Sequence, residues 1–133
     1  MKTNDELIRT IRIGDTIYWM RESADNPDSI QKSDVRAVTR TTIECGGYTF
    51  KKDDLGPEFF TTNYTRHVMS DAYEDLLYVI KANAERKINE TLEFIRKQCK
   101  EIATLEQRIE FCHNVIREYE RRTAQLKEKE DQQ

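Results

Sequence analysis

Phe59, Phe60, Tyr64 and His67 lie within a nine-residue stretch that also holds Arg66. Aromatic faces stack on planar heterocycles, and a guanidinium beside them pairs with phosphate. The group could therefore stack a base and hold an anion. The same side chains could instead plug a small β-structure onto a following helix, which a head of this size needs. Tyr18, Trp19 and Tyr48 pose the same alternative of ligand cage or barrel core. Because Tyr18 and Trp19 alternate along a strand, one of the two faces outward and is the better site candidate. Trp19, Phe59, Tyr64, Arg66 and His67 are the candidate ligand-binding residues, for stacking and charge contact.

Other charged groups read as solvated surface. Lys51-Lys52 is followed at once by Asp53-Asp54, which dilutes its field, and Arg36 and Arg40 stand apart. Arg117, Arg121 and Arg122 are balanced by Glu118 and Glu120. The chain has no GxSxG, P-loop, HExxH or GxGxxG motif. His67 and His113 have no Ser or Cys placed as in a triad. Cys45, Cys99 and Cys112 are too widely spaced for a zinc site or a disulfide framework. The expectation is a protein that is not an enzyme, with no catalytic residue, no metal and no cofactor, held reduced in the cytoplasm.

The composition limits the partners. The 133 residues are 37% hydrophobic and 35% charged, with a net charge of −3. Residues 1–69 carry −1 and residues 70–133 carry −2. No basic face emerges of the kind that binds duplex DNA or an anionic membrane. The start MKTNDELIRT is polar, and no apolar run approaches the ~20 residues that span a bilayer.

Both prolines and all four glycines lie before Ser70. Upstream, the pattern is β-rich. Thr3 and Glu6 form a capping box for one helical turn through Leu7 and Ile8. Ile11–Met20 reads as a strand kinked at Gly14-Asp15, an opening common in small SH3-like barrels. Residues 21–34 read as a long polar loop and Val35–Thr42 as the second strand. Gly46-Gly47 closes a hairpin by a type I′ turn, pairing Cys45 with Tyr48, Glu44 with Thr49 and Ile43 with Phe50. Glu58–Thr62 reads as a closing strand, residues 63–69 as a junction, and Ser70 as the cap of the next helix.

Downstream the period changes. Tyr73, Leu77, Ile80 and Ala84 begin an apolar stripe. Ile88, Leu92, Ile95, Cys99 and Ile102 continue it in steps of four and three. Leu105 comes one residue early, and Ile109, Cys112, Ile116, Tyr119, Thr123 and Leu126 resume the pattern. This is a heptad seam with one phase slip. The seam residues Ile88, Leu92, Ile95, Ile102, Leu105, Ile109 and Ile116 are expected to join copies of the chain. Asn83–Lys87 is the least apolar stretch and the place for a break if the helix folds back; one long helix is the favoured reading. The fold expected is α+β: a small antiparallel β-barrel-like head over 1–69, then a long C-terminal helix or coiled-coil stalk over 70–133.

Three segments together resemble a group of small uncharacterised proteins of phages, prophages and other mobile elements of bacteria. They are Ile13-Gly14-Asp15-Thr16-Ile17-Tyr18, the hairpin end Gly47-Tyr48-Thr49-Phe50, and Asp54-Leu55-Gly56-Pro57-Glu58-Phe59-Phe60-Thr61-Thr62. The resemblance implies an anti-defence setting: a stoichiometric inhibitor that binds a host effector or sequesters a signalling nucleotide in the host cytoplasm. Here the helix is far longer than in the short members. The alternatives are a nucleic-acid-binding module with an SH3-like head, or a structural coiled-coil scaffold.

Overall fold

A computed structural model describes residues 1–54, 58–63 and 65–132. The element order is α1 (Asn4–Thr10), β1 (Thr16–Arg21), a 3-10 turn (Pro27–Ser29), β2 (Gln31–Val38), β3 (Thr42–Cys45), β4 (Tyr48–Lys52), β5 (Phe60–Thr62), β6 (Thr65–Ser70) and α2 (Tyr73–Asp131). The six strands are antiparallel neighbours in chain order, and β6 returns to pair with β1, closing a barrel. The fold is therefore a six-stranded antiparallel β-barrel followed by a long C-terminal helix. Closure leaves no free sheet edge, which suits a short head that cannot hide one.

Residues Met1–Ile88 form one compact unit and Asn89–Gln133 a second. In the first unit, strand alternation sorts side chains to two cores. Ile17, Val35, Ile43, Cys45, Phe50, Phe60 and Met69 point into the barrel, where Leu7 and Ile8 of α1 and Ile11 just after it join them. Met20 and Val68 point outward from β1 and β6 and pack on Leu76 and Ile80 of α2. Each wholly buried aliphatic or aromatic side chain contributes about 1.5–3 kcal/mol relative to exposure.

The helix α1 closes one end of the barrel. Thr3 and Glu6 complete the capping box at its start. Asn4 Nδ2 donates to Phe59 O at 2.8 Å. Lys52 at the end of β4 pairs with Asp5, and Lys2 pairs with Asp71 just after β6 at 2.6 Å. The first turns of α2 then run along the outside of β1 and β6. Tyr73 meets Tyr18 edge-on at 5.6 Å. Asn83 Nδ2 donates to Glu22 O at 2.7 Å and to Ala24 O at 2.8 Å. Lys87 reaches Asp25 at 2.9 Å.

The Gly-Gly hairpin has the expected pairing, Ile43 with Phe50, Glu44 with Thr49 and Cys45 with Tyr48. Gly46 and Gly47 both take positive φ, +58° and +78°. Several expectations differ, the second strand among them, which ends at Val38 while Thr42 opens β3. Residues 65–69 of the expected junction, together with Ser70, form β6, whose interior His67 and Met69 alternate with Val68 facing α2. The polar loop shortens because Arg21 extends β1 and Gln31–Asp34 pair with Trp19–Thr16, so pairing overrides polarity. The first strand starts at Thr16, after the Gly14 turn, leaving Ile13 exposed. The closing strand is the three residues Phe60–Thr62.

The helix starts at Tyr73 rather than beside Ser70. Ser70 belongs to β6, and its hydroxyl accepts from Ala72 N at 3.1 Å and donates to Asp75 Oδ2 at 2.5 Å. Its helical run is unbroken through Asn83–Lys87, where Asn83 is an anchor to the barrel. No helix is long and apolar enough to cross a membrane among the described residues.

Candidate functional site

The end of the barrel away from α1 is built from the end of β1, the start of β2, the β3–β4 turn and the β5–β6 turn. A cavity of about 840 Å³ opens there. Trp19, Arg21, Ser33, Tyr48, Asn63 and His67 line it with backbone and small polar neighbours. That volume falls in the range of small-molecule sites.

Its wall is aromatic because odd-numbered β1 residues and His67 of β6 face inward. The Trp19 ring lies 5.0 Å from Phe50, 5.5 Å from Tyr48 and 5.8 Å from His67. His67 packs edge-on to Phe50 at 5.2 Å. These tilted and edge-to-face contacts suit aromatic quadrupoles and fix the rings. Trp19 Nε1 donates to Ser33 Oγ at 3.2 Å. Tyr48 is half exposed at the rim.

The polar groups are mostly uncharged. His67 is buried and its Nδ1 lies 3.1 Å from Thr65 O, which places a proton on Nδ1. Burial lowers the His67 pKa; the Thr65 carbonyl opposes this, and the nearby Arg21 charge lowers it further. The imidazole is thus held neutral and Arg21 is the charged group on the lining. Among the described residues no Asp or Glu lines this cavity, although the chain has 25 of them. Asn63 sits at the rim with φ +45°, the left-handed conformation that Asn tolerates in a tight turn.

The candidate residues fall into two groups. Trp19 and His67 come together in the cavity. Arg66, next in sequence to His67, points out of the barrel, with its guanidinium 5.3 Å over the Phe59 ring and 3.9 Å from Glu22. Phe59 lines a separate cavity of about 450 Å³ with Val79, Ala82, Asn83 and Arg86 of α2. Arg66 also lines a recess with Lys51, Tyr48, Thr62 and Asn63, which adjoins the aromatic cavity through the last three. Tyr64 lies outside the described residues. Of the possible cage, Trp19 and Tyr48 share the cavity and Tyr18 turns away to Tyr73.

Arg21 and Ser33 had no motif to mark them. Their signal is register alone, since β1 and β2 pair Ile17 with Ser33 and Trp19 with Gln31. Among the described residues no three His, Cys, Asp or Glu side chains are grouped to hold a metal.

The second unit is helical to Asp131, and its apolar side chains are exposed. Leu92, Ile95, Ile102, Leu105, Ile109 and Ile116, together with Ile88 at the end of the first unit, are 44–58% exposed. Val115 flanks the stripe, and Phe94 and Phe111 are exposed on another face of the helix. Cys99 and Cys112 lie on the stripe and carry free thiols.

Compared with protein-family models, curated proteins and solved structures, the chain matches none.

Proposed function

We propose that this chain is a non-enzymatic, homo-oligomeric binding protein whose barrel mouth takes a nucleotide. The observation that carries the reading is the cavity whose wall is Trp19, Tyr48 and His67 and whose charged group is Arg21, with no carboxylate along the described lining. A base stacks on the aromatic wall at ~1–3 kcal/mol. The amide and hydroxyl groups of Gln31, Ser33 and Asn63 meet its hydrogen-bonding edge, and Arg21 meets a phosphate. A neutral His67, its Nδ1 proton held by Thr65 O, adds Nε2 as an acceptor without a competing charge. The adjoining recess holds Lys51 and Arg66 but also the Asp53 carboxylate, so the anion site of this reading is the Arg21 end of the cavity.

The exposed seam of α2 supports the homo-oligomer. A row of side chains half exposed in one chain is far more apolar than a solvated helix face needs. Binding without turnover fits sequestration of a nucleotide signal. The resemblance to mobile-element proteins makes inhibition of host defence the setting of that reading.

Trp19 is the chain's one tryptophan and stands in the cavity wall. Its fluorescence is therefore a direct reporter. Titration with ATP, GTP, and cyclic mono- and dinucleotides is expected to give a saturable change for at least one of them. Arg21→Ala and Tyr48→Ala are expected to weaken it about tenfold or more with the fold intact. No change with any of these probes to millimolar concentration overturns the nucleotide reading.

A further inference from the structure

The seam of α2 has a two-fold symmetry of its own. Reflected about the point between Leu105 and Glu106, three pairs of seam residues are identical and a fourth is apolar, while Leu105 falls opposite Glu106 and Ile88 opposite Thr123. Ile102 meets Ile109, Cys99 meets Cys112, Ile95 meets Ile116 and Leu92 meets Tyr119. The helix runs unbroken through this point, so the slip between Ile102 and Leu105 changes the seam's phase without ending it. We propose that the occupant of this exposed seam is a second copy of the chain, packed antiparallel on it with the dyad between Leu105 and Glu106. The proposal rests on the homo-oligomeric reading above and fixes the orientation, register and number of copies.

Three arguments bear on this arrangement; the first two set the register and closure of a two-chain assembly and hold also for a parallel in-register pair, and the third sets the orientation. First, the two phase slips meet in one layer. Both seams then rephase together, as an antiparallel pair can do in this register and not in a shifted one. Second, the contact is isologous: each half of the stripe covers the other half of its partner. The assembly closes at two chains and leaves no stripe uncovered. Third, the flanking charges suit it better.

After the slip, Ile109 and Ile116 occupy a positions and Cys112 and Tyr119 d positions. A parallel pair would set Arg122 against the partner's Lys127, and it would do so on both sides. The antiparallel pair sets Arg122 by Asn89 and Thr91, and Arg108 by Ala103. Its one like-charge approach is Glu106 with its own copy, an exposed pair at the dyad.

The native cysteines read out the geometry. Cys45 is buried in the barrel, leaving Cys99 and Cys112 on the seam. The full chain is oxidised with diamide, which accepts the two electrons and two protons of a thiol pair. Peptide masses then locate the links, and light scattering gives the native mass. The arrangement predicts twice the 15.8 kDa chain mass and Cys99–Cys112 links between chains. It predicts no link in either Cys99→Ser or Cys112→Ser alone, and a link restored when those two variants are mixed. Cys99–Cys99 and Cys112–Cys112 links, surviving in each single variant and never joining the two variants to one another in their mixture, mean a parallel pair and overturn the inference while the oligomer stands. A dimer with no Cys99–Cys112 link overturns the register. A native mass of one chain overturns both the inference and the homo-oligomer.

Discussion

The indole N–H of Trp19 donates to the Ser33 hydroxyl at 3.2 Å, and the backbone of Gly46 lies close against that hydroxyl. A Cβ added to Gly46 would stand 2.8 Å from Ser33 Oγ, whereas one added to Gly47 would meet nothing within 4 Å. Both glycines have left-handed φ, so any side chain there costs roughly 1–2 kcal/mol. Gly46→Ala is expected to lose that amount and also to push Ser33 off Trp19, altering the tryptophan emission. Gly47→Ala should carry the backbone cost alone. Denaturant unfolding of both variants followed by fluorescence checks this. Adding Ser33→Ala to Gly46→Ala should recover part of the loss, and a loss that stays unchanged counts against the contact.

Asn83 is expected to act as a fastener between α2 and the segment after β1. Its amide serves two carbonyls, those of Glu22 and Ala24. Asn83→Ala leaves both without this donor and should cost about 2 kcal/mol in unfolding free energy. Exchange protection should fall first in residues 22–25 and in α2 beside them. A variant as stable as the parent would show that water replaces the amide at no cost.

His67 predicts a pH dependence of known sign. Burial lowers its folded pKa below the ordinary 6.5. As pH falls through that value the unfolded chain binds a proton that the folded chain resists. Stability should therefore be full above about pH 7 and decline as pH falls through 6.5 toward the lowered folded value, levelling below it. His67→Gln should flatten the curve over that interval. The same slope in parent and variant would assign the effect to other groups.

Cys45 is expected to be inert in the folded chain. Burial raises its thiol pKa to about 11, so little thiolate forms at pH 8. A maleimide should modify Cys45 only as fast as the barrel unfolds. Rapid labelling of Cys45 under native conditions would show that the barrel interior opens.

Sequence pattern reached the parts of this fold governed by local rules. The Thr3–Glu6 cap, the Gly46-Gly47 hairpin with its register, and the long Gly- and Pro-free helix each depend on residues near one another in the chain. What depends on distant pairing was hidden. Residues 65–69 look like a polar connection until β1 supplies their partner strand, and Gln31–Asp34 look like loop until they pair with Trp19–Thr16. The candidate site followed the same divide. Trp19 and His67 are 48 positions apart and become neighbours only when β6 closes the barrel. Arg66 and His67 are adjacent in sequence and are sent to opposite faces by strand alternation.

Light scattering coupled to size exclusion, with absorbance at 260 and 280 nm, tests the central claim of a homo-oligomer that carries a nucleotide. With one tryptophan and six tyrosines the chain absorbs modestly at 280 nm, so a bound base is readily seen. Protein purified from cells is predicted to elute at twice 15.8 kDa with a raised 260 nm signal, and Ile109→Asp is predicted to elute at the mass of one chain. A parent protein at 15.8 kDa with a protein-only spectrum would contradict the account.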